Sequence, residues 1–338
     1  MDDSEIRLLR GAAETAHNGA SRARSEKPPL SHADGREGQR GSPMQRVKID
    51  RPIFVVGVGR SGSSIFHQMF AEHPDLVWLS TLCDLLPFNL GPHRTLMRMI
   101  DWPLLGSLLK RRYEPAECYV FWNHHCLGFR QPFRDLLASD VSELNRRQVH
   151  RVMGALPVGR RQRLLYKITG WPRIGFLHEL FPDARFIHVY RDGRAVANSL
   201  LAVDFWQGWH GPPQWRWGAL SPEHQAEWER HGKSFVALAG IQWKLLMDAT
   251  AEAAARIPPG QFMAIRYEEF VTDPLSNFKQ VVEFCGLDWS RKFEKAIASY
   301  TLETANGKWR EDLTPPQQAI LQSVLAESLV KYGYSPDA

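Results

Sequence analysis

Apolar residues along this chain fall into short dense blocks separated by helical periodicities, and the first 46 positions stand apart from that pattern. The stretch 16–43, AHNGASRARSEKPPLSHADGREGQRGSP, is polar, rich in Gly, Pro and Ser, and nearly free of large apolar side chains. Such a segment cannot bury enough surface to offset its ordering entropy, so residues 1–46 are expected to form a disordered tail before a folded domain over 47–338. The character changes at Pro52-Ile-Phe-Val-Val-Gly57, a continuous run of β-formers that reads as a strand buried on both faces. Ile65–Glu72 follows with helical spacing. Two more such runs, Arg185–Tyr190 and Phe262–Arg266, each lead into a helical pattern, at 194–202 and 274–286, and Ile174–Leu180 forms another helix before the second run. Strands alternating with helices predict an α/β fold, a P-loop-like parallel sheet with helices on both faces. The stretches 76–165 and 203–258 read as helical insertions.

The sharpest chemical signal is the first strand–turn–helix, Gly57-Val-Gly59-Arg60-Ser61-Gly62-Ser63-Ser64. Glycines let backbone N–H groups turn toward an anion, the helix start adds partial positive charge, and Arg60 adds a guanidinium fork. Against the nucleotide-binding pattern GxxxxGK[ST] the segment agrees at Gly57, Gly62 and Ser64, but Ser63 stands where that pattern needs lysine. Its absence argues against nucleoside-triphosphate hydrolysis. A second signal is Arg191, at the end of a strand where ligands of open sheets gather, with Ser199 eight residues on and two turns along the next helix. Together they could clamp a terminal phosphate, and a salt bridge from Arg191 to Asp192 is the plainer alternative.

Composition narrows the field further. A net charge of +5 spread over 42 basic and 37 acidic residues is too diffuse for a nucleic-acid face, yet compatible with an anionic small molecule. The four cysteines form no CxxC pair, so neither a zinc ribbon nor a disulfide framework is signalled, and a reducing cytoplasm suits them. No run of 18 apolar residues predicts a transmembrane helix. Of twelve tryptophans, six (Trp206, Trp209, Trp215, Trp217, Trp228 and Trp243) crowd into one region. They read first as core and second as a stacking wall for an acceptor. The segment 94–112, RTLMRMIDWPLLGSLLKRR, is apolar with basic ends, and reads as a helical hairpin or a membrane-surface contact.

Taken together, the loop and the second strand make the chain resemble the sulfotransferases that use 3′-phosphoadenosine 5′-phosphosulfate (PAPS), in the bacterial branch related to tyrosylprotein sulfotransferases. RPIFVVGVGRSGSSIFHQMFAEHPD resembles that family's 5′-phosphosulfate loop, and LFPDARFIHVYRDGRAVANSL its 3′-phosphate-binding strand and helix. The likeness continues at Tyr166-Lys167, at RYEEFVTDP (266–274) and at GKWREDLTPPQ (307–317). It implies PAPS as co-substrate and transfer of the sulfuryl group to a hydroxyl. No metal site is evident in the sequence, so none is expected to be required, and the tryptophan-rich region suggests a carbohydrate, glycolipid or small-molecule acceptor. It also implies that Gly59, Arg60, Ser61, Gly62, Ser63 and Ser64 hold the phosphosulfate, that Arg191 and Ser199 hold the 3′-phosphate, that Tyr267 lies near the adenine, and that Trp309 belongs to a loop closing over the nucleotide. Lys167 is expected to neutralise charge on the transferring group. The carboxylate base of protein-tyrosine sulfotransferases falls here on Ser80 or Thr81, so the base has to be sought among Asp84, Glu117, His124 and His125, with Asp84 ranked ahead of His125. Two other readings remain open at this point. One is an atypical P-loop kinase, and the other is a non-catalytic module that binds the desulfated nucleotide or another polyanion.

Overall fold

The computed structural model describes residues 49–130 and 133–336, so the expected tail at 1–46 lies outside the described residues. Five parallel strands form one sheet in the order β2-β3-β1-β4-β5: β1 Ile53–Gly57, β2 Leu76–Trp78, β3 Arg163–Thr169, β4 Arg185–Tyr190 and β5 Phe262–Arg266. β1 lies at the centre, with Ile53 opposite Leu165 of β3 on one side and Arg185 of β4 on the other. Every residue of β1 is buried, as its unbroken apolar run requires of a strand covered on both faces.

Three of these strands fall where apolar runs place them, but β2 and β3 correct the reading of 76–165 as a purely helical insertion. β2 has only three residues, Leu76-Val-Trp78. β3, Arg163-Leu-Leu-Tyr-Lys-Ile-Thr169, carries two cations inside an interior strand. They are tolerated because each is matched: the Arg163 guanidinium donates to the carbonyls of Arg51 and Cys285, and the Lys167 ammonium meets Ser64 and Glu117. The region 203–258 is helical, chiefly through Pro222–Arg230 and the twenty-residue helix Phe235–Ala254. That long helix packs against helices Gly193–Leu201 and Pro315–Lys331 to make a second apolar core beside the one around the sheet.

Candidate functional site

Because the strands are parallel, their C-terminal ends all open on one edge, and chain order reverses around β1. β1 delivers the loop Val58–Gly62, β3 delivers Lys167 and Thr169, β4 delivers Arg191, and β5 delivers Tyr267. A cavity of about 550 Å³ lies at this edge.

The loop after β1 turns through two left-handed residues, Arg60 at φ 73° and Gly62 at φ 84°. Gly62 has no substitute, because a β-carbon there would lie 2.1 Å from the Tyr267 ring. Helix Ser63–Phe70 begins without a side-chain cap, so its first amides are available to a bound anion. Arg60 donates from Nε to Ser199 Oγ at 2.8 Å. The Arg191 guanidinium stacks on Tyr267 at 4.7 Å, donates from Nε to Asn306 Oδ1 at 2.7 Å, and reaches the Arg60 carbonyl. Asn306 is itself fixed by a bond to Glu268. Among the described residues no carboxylate pairs with Arg60 or Arg191. Asp192, the alternative partner of Arg191, instead caps the following helix and holds Arg194 in a bidentate pair. Two adjacent guanidiniums without a carboxylate partner among the described residues, beside an uncapped helix start, are an arrangement chemically suited to a polyanion.

Lys167 and Thr169 alternate by two along β3 and so point to the same side. Lys167 Nζ donates to Ser64 Oγ at 2.6 Å and lies 2.8 Å from Glu117 Oε1. Thr169 Oγ1 donates to the same carboxylate at 2.9 Å. Burial alone would raise the Glu117 pKa. The Lys167 charge and the hydrogen bonds from Lys167, Thr169 and Tyr119 outweigh it and hold the carboxyl below its ordinary value. Glu117 therefore stands as a carboxylate, inside the cavity, one bond from the cation nearest the loop. Beneath the loop His67 is fully buried, and burial together with Lys167 lowers its pKa to about 3.

Several expected positions sit elsewhere. Asp84 Oδ1 accepts from the Phe121 N–H at 2.9 Å, which makes it a cap for helix Tyr119–His125 rather than a group facing the cavity. The His125 ring lies 2.8 Å from the Pro87 carbonyl and against Phe121, and His124 is exposed beside it. The cavity lining includes none of these three. Trp309 is buried in the second core between Arg194 and Arg310, so it supports the fold instead of covering the cavity. Ser61 is fully buried and its amide already donates to the Val58 carbonyl, leaving Gly59, Arg60, Gly62, Ser63 and Ser64 as the parts of the loop that face the cavity. Tyr267 backs Gly62 and Arg191 from behind.

The cavity wall opposite the loop is aromatic. The tryptophan-rich region divides: Trp215 and Trp243 are fully buried, whereas Trp206 and Trp217 line the cavity with Trp171, Phe205 and Leu200. Arg130, Arg173 and Arg216 complete that wall. Thr169, Asn306 and these arginines have no motif to announce them. Only the two-residue spacing of Lys167 and Thr169 could have linked Thr169 to the site.

The sulfotransferase family model matches residues 52–291. Among characterised proteins, the omega-hydroxy-beta-dihydromenaquinone-9 sulfotransferase Stf3 of Mycobacterium tuberculosis is 23% identical over 329 residues, covering 86% of this chain and 77% of its own. Human carbohydrate sulfotransferase 5 is also 23% identical, over 84% of this chain and 77% of its own. Among solved structures, sulfotransferase STF9 from Mycobacterium avium superposes with a TM-score of 0.55 at 19% identity, covering 85% of this chain and 78% of that one, a likeness of fold. The matched span takes in the β1 loop, the buried Lys167–Glu117 pair and the Arg191 clamp that together build the cavity, and on that match the chain belongs to the sulfotransferase family, as a sulfuryl-transferring enzyme.

Proposed function

We propose that the donor is PAPS and that the acceptor is a hydroxyl on a flat or apolar body, a class that takes in glycans, glycolipids and aromatic alcohols. The observation that carries this reading is the meeting, in one cavity, of the Arg60–Arg191 anion receptor, the Lys167–Glu117 pair and a wall of three tryptophans. The donor's groups find chemically suited partners. A phosphosulfate suits the uncapped helix start with Arg60 and Lys167, and a 3′-phosphate suits Arg191 with the Ser199 hydroxyl. The named activities of the two relatives, on a hydroxylated menaquinone and on carbohydrate, are both compatible with an aromatic acceptor wall. Four free, buried thiols fit a cytoplasmic setting.

In the transfer, the acceptor oxygen bonds to sulfur while the bridge from sulfur to the 5′-phosphate oxygen breaks, in line and through a loose transition state. The products are a sulfate ester, the 3′,5′-bisphosphate and a proton. Glu117 takes that proton, since it is the carboxylate in the cavity and is ionised before the acceptor arrives. Lys167 and Arg60 neutralise charge on the sulfuryl oxygens and the leaving phosphate, and the aromatic wall orients the acceptor and excludes water.

Glu117→Gln tests the assignment. Turnover of labelled PAPS with a panel of hydroxyl acceptors should fall by about 10²–10⁴-fold while affinity for the bisphosphate product is kept. Wild-type turnover in that variant would remove Glu117 from the chemistry. If the wild-type protein binds neither nucleotide, the donor assignment fails.

A further inference from the structure

The segment 85–112 presents large apolar side chains to solvent far from any role in the cavity. Phe88 is 72% exposed, Trp102 55%, Leu104 91% and Leu108 65%. Helix Leu105–Arg112 is pinned by its inner face. Gly106 is buried so tightly against Ile100 that a β-carbon would lie 2.2 Å from the Ile100 carbonyl oxygen, and Leu109 packs on the core. Leu104 and Leu108, one turn apart, and then Arg111 and Arg112, one further turn on, therefore lie along the outer side. Leu104 itself sits at φ 61° and ψ −56°, a strained conformation for a leucine. A strained turn that projects an apolar residue gains nothing for the isolated fold.

Charge within this segment is predominantly basic. Across 85–112 the basic residues are Arg94, Arg98, Lys110, Arg111 and Arg112, against a single acid, Asp101. Asp101 is occupied by the buried Arg161 and by Lys292, at 3.0 and 2.9 Å. Lys110 pairs with Glu72 and Arg94 with the Ala155 carbonyl, which leaves Arg98, Arg111 and Arg112 exposed and without a carboxylate among the described residues. An apolar stripe led by a tryptophan and bordered by free guanidiniums matches the boundary of an anionic bilayer, where acyl chains meet negative headgroups.

We propose that this surface, Trp102 to Arg112, docks the protein on an anionic lipid membrane. Trp102, Leu104 and Leu108 enter the acyl boundary while Arg98, Arg111 and Arg112 meet the headgroups, so docking needs both apolar insertion and opposite charge. The inference is independent of the donor and acceptor assigned above.

Co-sedimentation of the full chain with vesicles tests it. Vesicles of phosphatidylserine and phosphatidylcholine in equal parts should bind the protein roughly tenfold or more tightly than phosphatidylcholine alone, and less so as salt rises. Leu104→Ser with Leu108→Ser should weaken binding to the mixed vesicles by about tenfold or more, and Arg111→Gln with Arg112→Gln should erase the preference for the anionic lipid. Both double variants should keep wild-type melting temperature and nucleotide affinity, since the four side chains are exposed and none lines the cavity. Equal binding to both vesicle types, or binding unchanged in the variants, overturns the proposal. So does a concentration-dependent dimer that the leucine variants abolish while no vesicle binds, which would assign the stripe to a second copy of this chain.

Discussion

Replacing Lys167 with methionine removes a charge while keeping most of the side-chain volume, and it isolates the electrostatic step on which the site rests. Lys167 Nζ and Glu117 Oε1 lie 2.8 Å apart, with the side chains 9% and 20% exposed. At an effective dielectric near 20 the gross attraction is about 6 kcal/mol, and desolvation of the two ions takes back much of it. Removing one partner leaves the other charge buried, at a typical cost of about 3–5 kcal/mol. Glu117 keeps the Thr169 bond and some water, so the lower end, about 3 kcal/mol near neutral pH, is expected. In the wild type the Glu117 pKa is depressed, so its stabilisation is complete above the ordinary glutamate value and is lost only as pH falls through the folded one. In Lys167→Met only the remaining hydrogen bonds, Thr169's among them, oppose burial, and that pKa rises. Buried histidines such as His67, with lowered pKa values, make the wild type itself lose stability as pH falls through this range. The expected signal is therefore a gain of Lys167→Met relative to the wild type from neutral toward the ordinary glutamate range. Urea unfolding of wild type, Lys167→Met, Glu117→Gln and the double variant, across that pH range, measures both the slope and the coupling. The double variant should recover part of the loss, and the kcat of Lys167→Met should fall by about 10²–10³-fold. A pH profile of Lys167→Met that runs parallel to the wild type, with coupling near zero, would refute the claim that this pair holds the carboxylate charged.

Two further perturbations separate binding from chemistry. Arg191→Ala should weaken PAPS binding by about 2–3 kcal/mol and shrink the preference for PAPS over its analogue lacking the 3′-phosphate, with kcat largely kept, because that phosphate does not change charge during transfer; equal loss for both nucleotides in calorimetry would remove Arg191 from the clamp. Asp84→Ala should cost about 1 kcal/mol of stability through the lost cap on Phe121 and leave kcat within about twofold, and His125→Ala should likewise leave kcat unchanged. A collapse of kcat in folded Asp84→Ala would return that residue to the chemistry.

Where the chain alone is legible, the reason is local. β1, β4 and β5 are runs of β-formers, and the glycine–serine loop after β1 has chemistry and spacing that only a strand–turn–helix can use. Arg191 and Ser199 are also visible, being set by a strand end and by two turns of one helix. β3 hides because two of its seven residues are cations, and a buried cation declares itself only through partners distant in the chain: Glu117 and Ser64 for Lys167, Arg51 and Cys285 for Arg163. Trp309 misleads for a related reason. A tryptophan followed by arginine suits a nucleotide-covering loop, but here Arg194, held by Asp192, draws the indole into the core.

The base shows most sharply what spacing cannot decide. Asp84 stands at a plausible distance from Arg60 along the chain, yet a carboxylate just ahead of a helix in space is a cap first, and the Phe121 amide claims it. Glu117 precedes the same helix Tyr119–His125 by two residues, and the sequence makes it one of four candidates without ranking it above the others. What favours it is β3, whose register beside β1 sets Lys167 opposite Val55 and Thr169 opposite Gly57, where the glycine–serine loop begins. Both side chains then reach one carboxylate arriving from the insertion. The strand hidden by its lysine is thus also the one that separates Glu117 from Asp84, His124 and His125, because β3 brings a cation and a hydroxyl to its carboxylate inside the cavity.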